Sequence, residues 1–597
     1  IDIIFFNSRE SYIKQILPLN EEVVISGKVG FYKNKYQMTN PDYIQSIDKE
    51  KDITKIMAKY SSVAGISPKT IQKIYKEEIE KLKDIGEWHS QDFLKKMDWP
   101  TWYDAIYNLH NPINVSDVNK ESKFYQRLAF DEIFSNFLIF SEIKKRIKKL
   151  IKVSKVISDD NLLRIKKMLP FTLTESQQGS LKEILTDISS EKKMLRVLQG
   201  DVGSGKTAVA MIAAYLTVKS GYQVAFLCPT ELLAKQHFLL FKKVLENENL
   251  NIQLLTSKIK GSEQVDTRFQ LSQNKIDIVV GTHSLFQEKT TFNNLGLIVI
   301  DEQHKFGVQQ RINLSLKGSV NTDVLLMTAT PIPRTLILTN YGDMDISTIN
   351  EKPFNNTTIN TLAKPAEKMD DVMVFLKKRL DENDQVYWVT PLIEESEKLK
   401  LTPAVKRYEY LKKKLKVEVG LVHGAMKSED KNKIMEDFIS GKIKVIVSTT
   451  VIEVGIDNQN ANTMIIENCE RFGLSQLHQL RGRVGRGKLD AYCLLLYSKN
   501  IGTNGKKRIQ ILKSSLDGFY ISEEDLKLRG FGDIIGYKQS GEKDFIIADP
   551  AYHSDLFQLA KEEIENLENK DVKLEEHFSQ LLKIFKKDRV LNIIDTG

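Results

Sequence analysis

Residues 194–207 read MLRVLQGDVGSGKT, a short apolar run followed by a glycine-rich loop. Gly203 and Gly205 allow backbone N–H groups to wrap phosphates at the start of the next helix. In such a loop Lys206 neutralises the β and γ oxygens, and the Thr207 hydroxyl ligates Mg²⁺. The stretch therefore predicts a nucleotide-binding loop between a strand and a helix.

A second phosphate-facing motif lies far downstream, where residues 479–487 read QLRGRVGRG and set Arg483 and Arg486 one helical turn apart. Arginines from a second domain can meet γ-phosphate charge, so that hydrolysis opens and closes a cleft between two lobes. Short strands alternate with amphipathic helices beyond Pro170. These strands are predicted at MLRVLQG, YQVAFLCPT, IDIVVGT, LGLIVIDEQH, DVLLMTATP, QVYWVTP, VEVGLVHG, IKVIVSTT and AYCLLLYS. The pattern predicts an α/β fold with two parallel-sheet lobes and the activity of a motor.

Composition permits this interpretation without proving it. The 597 residues suggest roughly four domains, and 87 Lys and Arg against 79 Asp and Glu leave a mild charge of +8. Cys228, Cys469 and Cys493 are scattered in apolar runs, which predicts buried thiols and a cytoplasmic protein. No apolar run reaches the ~18 residues of a membrane span. Because the chain starts at Ile1 rather than Met, we expect it to lack its natural beginning.

Acidic residues follow the apolar strand LGLIVI in the order Asp301, Glu302, then His304. Asp301 can hold the metal through water, Glu302 can polarise the attacking water, and His304 can sense the γ-phosphate. The alternative is a solvated turn, which the preceding P-loop and the following TAT make improbable. Upstream, Phe171 and Gln177 offer an aromatic face and an amide for adenine, and a core Phe with a surface Gln is an equal alternative.

The N-terminal region predicts a β-hairpin in which VVISGKV (23–29) and YQM (36–38) flank a turn at residues 33–35. Phe31, Tyr32 and Tyr36 alternate with lysines there, as a base-stacking platform with phosphate contacts requires. A barrel core with a solvated turn is an equally weighted alternative. From residue 51 to residue 169 the pattern becomes helical.

Read together, the sequence blocks resemble superfamily 2 helicases and translocases, and within them the RecG family of branched-DNA translocases. The blocks that carry the resemblance are LQGDVGSGKT, PTELLAKQH, IDIVVGTHSLFQ, VIDEQHKFGVQQR, LLMTATPIPRTL, GLVHGAMKSEDKNKIMEDF, TTVIEVGIDNQNA, FGLSQLHQLRGRVGRG and DGFYISEEDLKLRGFGDIIGYKQSG. The last block resembles a translocation motif shared with the transcription-repair coupling factor. Its alternative is a glycine-punctuated helical hairpin that packs on lobe 2.

The resemblance implies an ATP-dependent double-stranded DNA translocase or helicase that remodels stalled forks and Holliday junctions in recombination and repair, with ATP and Mg²⁺ as cofactors. It assigns Gln479, Arg483 and Arg486 to γ-phosphate and interlobe coupling. The remaining candidates fall into three groups with nucleotide, DNA or coupling roles. They are, for the nucleotide, Phe171, Gln177, Gly200, Gly203, Ser204, Gly205, Lys206, Thr207, Gly455 and Asp457; for DNA, Phe31, Tyr32, Tyr36, Pro229, Thr230, Thr282 and Arg334; and for coupling, Arg529 and Gln539.

Two local departures from the family pattern stand out. RGFGD at residues 529–533 lacks a turn proline and shortens a carboxylate, and KPFNN at residues 352–356 replaces a usual Gly-Arg pair, removing one positive charge near the lobe boundary. Compared with the family pattern, we also expect the wedge domain to be without its leading helices and first strands.

The expected organisation is a partial OB-like wedge (1–48), a helical linker (49–165), lobe 1 with the ATP site (166–350), lobe 2 (351–505) and a translocation-motif hairpin with a helical tail (506–597). Expected partners are forked, four-way and duplex DNA and single-strand-binding protein, with a monomeric chain and no membrane. Two alternatives stay open: an RNA helicase of the DEAD-like group, and a degraded paralogue that binds DNA passively. DEQH and the KLRGFGDIIGYKQSG tail argue against the first, and the complete set of catalytic residues argues against the second.

Overall fold

The computed structural model describes most of the chain. The described residues are 1–6, 8–32, 34–51, 56, 60, 66, 68–149, 151–257, 259, 261–287, 289–301, 321–328, 344–353, 358–391, 403–424, 426–449, 458, 460–485, 490–529, 545–549, 552–570 and 572–588. Two compact units divide it, Ile1–Asn136 with Lys543–Thr596, and Phe137–Glu542. The tail expected as one domain is therefore split between the units, and the five sequence-based boundaries stay predictions.

The first unit begins with two small sheets. Its strands are β1 (Asp2–Ile4), β2 (Val23–Ser26), β3 (Val29–Tyr32), β4 (Lys35–Thr39) and β5 (Tyr43–Ser46). One sheet has the order β1-β4-β3 and the other pairs β2 with β5. The hairpin forms between β3 and β4, whereas the first part of the predicted strand 23–29 pairs with β5 instead. Gly27 lies at the break and packs closely on Met38, since a Cβ there would lie 2.8 Å from Met38 Sδ.

Helices complete this unit, and the described residues between the strands and lobe 1 are largely helical, as predicted. The helices up to the motor are Glu10–Ile16, Pro68–Lys81, Gln91–Met97, Trp102–His110 and Lys123–Lys149, with short 3₁₀ turns at Ile47–Lys49, Leu82–Asp84 and Val115–Val118. Those of the tail are Ser554–Glu568, Leu574–His577 and Ser579–Ile584. Glu132 ties the tail to the linker, because its carboxylate accepts hydrogen bonds from the backbone N–H groups of Ile547 and Ala548, each at 2.7 Å.

Lobe 1 is a seven-stranded parallel sheet of order β12-β6-β11-β10-β7-β9-β8. Its strands are β6 (Leu195–Gly200), β7 (Gln223–Leu227), β8 (Ile252–Leu255), β9 (Ile278–Gly281), β10 (Leu295–Ile300), β11 (Asp323–Thr328) and β12 (Asp345–Ile349). Its helices are Asp159–Met168, Glu175–Ser189, Lys206–Lys219, Glu231–Val244 and Gly261–Ser272, with 3₁₀ turns at Glu246–Glu248 and His283–Phe286. The P-loop helix, Lys206–Lys219, is buried along most of its length in the main core, which fixes the loop before it.

Lobe 2 is a six-stranded parallel sheet of order β13-β18-β17-β14-β16-β15. Its strands are β13 (Ile359–Pro365), β14 (Gln385–Val389), β15 (Val419–Val422), β16 (Val445–Ser448), β17 (Ala461–Ile466) and β18 (Ala491–Tyr497). Its helices are Met369–Asp381, Pro403–Lys414, Ser428–Ile439, Leu474–Arg481, Thr503–Ser514 and Gly518–Arg529, with a 3₁₀ turn at Cys469–Arg471. The predicted fold class, two parallel-sheet lobes with a helical C-terminal part, is confirmed.

The three cysteines are buried and unpaired with one another, as predicted. Burial raises the pKa of the Cys469 and Cys493 thiols to about 12. No helix in the described part of the chain combines the length and apolar character that crossing a bilayer requires.

Candidate nucleotide and DNA site

The P-loop connects β6 to the P-loop helix through two left-handed glycines. Gly203 has φ +80° and Gly205 has φ +82°, a backbone region that residues with a Cβ rarely adopt. A Cβ on Gly205 would also lie 2.3 Å from Gln177 Nε2. The loop therefore needs glycine for both conformation and space, and it presents the helix N-terminus that an anion requires.

Lys206 is buried at the first position of the P-loop helix. Its Nζ donates to the carbonyl oxygens of Gly200 at 2.7 Å and Asp201 at 2.9 Å. Ser204 is buried beside it, while Thr207 is half-buried in the first turn. An ammonium at a helix N-terminus, with a hydroxyl one residue later, is the donor set that a nucleotide phosphate with Mg²⁺ requires.

Gln177 braces the P-loop from behind. Its Nε2 donates to Ser204 O at 2.7 Å, and its Oε1 accepts from Thr174 N at 2.9 Å at the start of the helix Glu175–Ser189. The side chain is buried, so the surface-glutamine alternative is wrong. Phe171 packs partly buried against the lobe 1 core. Adenine recognition by these two residues stays a prediction.

Asp301 follows β10, where the predicted metal carboxylate is expected. Its Oδ2 lies 3.0 Å from His237 Nε2 of the helix Glu231–Val244, and His237 is itself buried. Sequence reasoning missed His237, although it ends the PTELLAKQH block, because nothing in the spacing shows that its ring reaches Asp301. Glu302 and His304 lie outside the described residues.

The residues predicted to track the DNA strand are tied into lobe 1. Thr230 caps the helix Glu231–Val244, its Oγ1 accepting from Leu233 N at 3.3 Å, and Pro229 precedes it, half-buried. Thr282 follows β9 and is buried. Arg334 lies outside the described residues. The DNA role of all four stays a prediction.

In lobe 2 two of the predicted γ-phosphate residues, Gln479 and Arg483, lie on or just after the helix Leu474–Arg481, hereafter the arginine helix. Gln479 and Arg483 are half-buried. Three other candidates of this lobe, Gly455, Asp457 and Arg486, lie outside the described residues. The structure thus describes one of the two predicted arginines.

The P-loop and the arginine helix meet across the two lobes. His478 Nε2 donates to Asp201 Oδ1 at 2.7 Å, and Lys352 Nζ lies 2.6 Å from Asp201 Oδ2. Burial acts to raise the pKa of the Asp201 carboxyl, but the hydrogen bonds from His478 and Lys352 and the positive charge of Lys352 outweigh it and hold the pKa well below its usual range. Sequence reasoning missed this contact and noted Lys352 only as part of a departure from the family pattern.

The helix Gly518–Arg529 also packs on the arginine helix. Asp525 is buried and its carboxylate accepts from the backbone N–H groups of Leu474 and Ser475, each at 3.2 Å, and from Ser475 Oγ at 2.6 Å. It thereby caps the N-terminus of the arginine helix. Arg529 ends the helix that carries Asp525, and Gln539 lies outside the described residues.

In the first unit, the three wedge aromatics point outward from the β3–β4 hairpin. Phe31, Tyr32 and Tyr36 are 62%, 60% and 62% exposed, and the Phe31 and Tyr36 rings meet edge to face at 5.0 Å. The barrel-core alternative is therefore wrong for these rings. Their role in base stacking stays a prediction.

Three family models match the chain. They are DEAD/DEAH box helicase over residues 174–338, Helicase conserved C-terminal domain over 367–488, and ATP-dependent DNA helicase RecG, domain 3, C-terminal over 515–593. The last model matches the tail that carries Asp525 and Arg529. This match agrees with the prediction from the KLRGFGDIIGYKQSG tail, which argued against a DEAD-like RNA helicase.

Similar proteins carry the RecG name that the third family model also carries. ATP-dependent DNA helicase RecG of Thermotoga maritima is 39% identical over 95% of this chain and 72% of its own length, and that of Bacillus subtilis is 38% identical over 93% and 81%. A solved structure of RecG bound to a three-way DNA junction shares 36% identity with a TM-score of 0.66, covering 94% of this chain and 73% of that one. These matches favour a DNA helicase over both alternatives. This chain belongs to the RecG family of ATP-dependent DNA helicases.

Proposed function

We propose that this chain hydrolyses ATP between its two lobes and uses the resulting lobe movement to translocate on duplex DNA at forks and four-way junctions. The observation that carries the proposal is the meeting of the P-loop and the arginine helix at Asp201 and His478, 2.7 Å apart. A cleft with a phosphate loop on one wall and arginines on the other links hydrolysis to lobe closure. The junction bound by the similar RecG structure supports branched DNA as the substrate.

Within this proposal the P-loop backbone and Lys206 hold the nucleotide phosphates, and Thr207 with Asp301 hold Mg²⁺. His237 keeps the Asp301 carboxylate in place through its 3.0 Å contact. Bound ATP with Mg²⁺ supplies the phosphoryl group whose transfer to water drives the cycle. Glu302 orients the attacking water, and Arg483 neutralises developing charge on the phosphoryl oxygens.

The proposed remaining roles complete the nucleotide site. We assign γ-phosphate roles to His304, Gln479 and Arg486, and we assign Gly455 and Asp457 the lobe-interface role that the family resemblance implies. Phe171 and Gln177 face the adenine side, where the buried amide of Gln177 also braces the loop through Ser204 O.

On the DNA side we assign backbone contacts to the loop residues Pro229, Thr230, Thr282 and Arg334, because hydroxyls and amides position DNA without reading its sequence. The exposed rings of the β3–β4 hairpin stack on bases at the fork. Arg529 and Gln539 convert lobe movement into DNA movement. Asp525 supports this coupling, since it bonds their segment to the helix that leads to Arg483.

The proposal also includes a monomeric enzyme in the cytoplasm that meets single-strand-binding protein at the forks it remodels. The substrate supports this part, because forks expose single strands and lie where the chromosome is replicated. Sedimentation in the presence and absence of forked DNA tests the monomer.

Arg483→Ala tests the proposed function. Removal of an arginine finger costs on the order of 10³ to 10⁵ in turnover, so this variant should bind ATP normally and barely hydrolyse it. Arg471→Ala is the matched control, since Arg471 is an exposed arginine of the same lobe. Turnover is measured with RNA, linear duplex, forks and four-way junctions as activators. Near-normal turnover in Arg483→Ala, or stronger activation by RNA than by branched DNA, would reject the proposal.

A further inference from the structure

Asp201 is a carboxylate of the P-loop that lies buried. It is 6% exposed and faces the other lobe, where His478 is 5% exposed. Besides the bonds from His478 and Lys352, its Oδ1 accepts from the backbone N–H of Val202 at 2.7 Å. Since a buried carboxylate is stable only with such partners, the loop and the arginine helix depend on each other for this contact.

The bond has a defined direction because of the other ring nitrogen of His478. His478 Nδ1 lies 3.0 Å from Arg481 Nη2, and a guanidinium can only donate. Nδ1 is therefore the acceptor and Nε2 carries the hydrogen that is donated to Asp201. Arg481 is buried and donates in turn to the carbonyl oxygen of Leu512. A chain of hydrogen bonds thus runs from the P-loop into the core of lobe 2.

A second contact between the P-loop and the end of the arginine helix is steric. A Cβ on Gly482 would lie 3.0 Å from Val202 Cβ and 3.1 Å from Val202 Cγ1. Gly482 has φ −68° and ψ −4°, which any residue adopts, so a side chain here would be opposed by its contact with Val202 and not by the backbone. The backbone of lobe 2 therefore packs closely against a side chain of lobe 1 at this point. The next residue in the chain is Arg483.

We propose that Asp201, Val202, His478 and Gly482 form an interlobe seat that fixes the position from which Arg483 reaches the nucleotide. These four are positioning residues, and the inference rests on the proposed role of Arg483. Because Gly482 and Arg483 are adjacent, a shift of the seat moves the arginine by a similar distance. A misplacement of about 1 Å can cost about a hundredfold in rate.

Two variants attack the seat in different ways. His478→Ala removes the hydrogen bond, and Gly482→Ala adds a methyl group against Val202 without changing backbone preference. For each we expect the DNA-stimulated kcat of the full chain to fall roughly a hundredfold. The KM for ATP and the affinity for a non-hydrolysable ATP analogue should change by less than about threefold, because phosphate binding by the P-loop backbone is retained.

A rescue variant and a double-mutant cycle distinguish a loss of positioning from a loss of stability. His478→Gln, whose amide can donate to Asp201 and accept from Arg481, should recover part of the lost kcat. In a cycle with Asp201→Ala, the double variant with His478→Ala should lose no more than the worse single variant, since both break one contact. Thermal unfolding of every variant shows whether the fold is retained at the assay temperature.

Lys235→Ala is the matched control, because Lys235 and Glu436 form another ion pair between the lobes at 3.4 Å, with side chains 52% and 67% exposed. Such an exposed pair contributes little, so kcat should be unchanged. The seat is refuted if His478→Ala and Gly482→Ala keep kcat within twofold, if they lose ATP affinity instead, or if the cycle is additive. If Arg483→Ala loses its DNA-stimulated kcat while His478→Ala keeps a normal kcat, only the seat is refuted. If Arg483→Ala keeps a normal kcat, the proposed function itself is refuted.

Discussion

Replacing Tyr32 and Tyr36 together by alanine should weaken fork binding and spare linear duplex. The two rings are 60% and 62% exposed on the β3–β4 hairpin, so their removal exposes little new apolar surface. The edge-to-face contact of Tyr36 with Phe31 is lost as well, worth about 0.5–1.5 kcal/mol. The wedge should therefore stay folded.

The size of the effect follows from base stacking, which is worth ~1 to 3 kcal/mol per base. If each tyrosine stacks on one base, the smallest expected loss is about 2 kcal/mol, roughly thirtyfold in affinity. If only one of them does, the loss falls to about fivefold at the lower limit. We expect a loss of tenfold or more for forks, while duplex binding through phosphates on the lobes persists and remains salt-sensitive.

The assay is a competition between forked and linear duplex of equal length at fixed salt, with circular dichroism of each variant. Tyr12→Ala is the matched control, since Tyr12 is 54% exposed in the same unit but lies on the helix Glu10–Ile16. Equal losses on fork and duplex, or the same loss in Tyr12→Ala, would contradict the stacking role. If the unaltered chain shows no fork preference, the wedge is inactive and the protein is a plain duplex translocase.

Two further predictions concern coupling and stability. Arg529→Ala and Gln539→Ala should leave DNA-stimulated ATPase largely intact while abolishing branch movement, since neither residue is assigned to the phosphates; equal loss of both activities would instead favour a packing hairpin. Asp323→Ala should lower the free energy of unfolding by about 3–5 kcal/mol in denaturant titrations, because Lys152 and Lys155, each 2.7 Å from its carboxylate, would stay buried without it. Burial already lowers the pKa of Lys152 against the raising effect of Asp323, so this variant should regain stability as the pH rises towards the usual lysine pKa. A loss below about 1 kcal/mol would contradict the buried-charge argument.

The sequence alone determined the elements whose chemistry is local. The P-loop is recognisable because strand, glycines, lysine and threonine are contiguous, and the structure gives the glycines the left-handed backbone that the motif requires. The nine apolar runs predicted in the two lobes all form strands, and all but β15 lie inside a sheet, where strands buried on both faces are apolar throughout.

Strands without that pattern were not predicted. β8, β12 and β13 lie at sheet edges, where one side of the strand has no neighbour and polar residues are tolerated. β17 is central and buried, but Asn462 and Thr463 interrupt its apolar run because both side chains bond to Asp384. The partner of Asn462 Nδ2 and Thr463 Oγ1 is distant in the chain, which no local pattern shows.

Only the tertiary structure decided which side chains meet. Asp201 and His478 are 277 positions apart, and both lie inside motifs that the sequence made recognisable, yet their contact depends on how two separately folded sheets face each other. The same holds for Gln177 behind the P-loop and for the outward direction of the wedge aromatics. Motif chemistry depends on neighbours in the chain, whereas burial and pairing depend on the packing of distant elements, so the sequence identified the motor and the fold set the contacts between its parts.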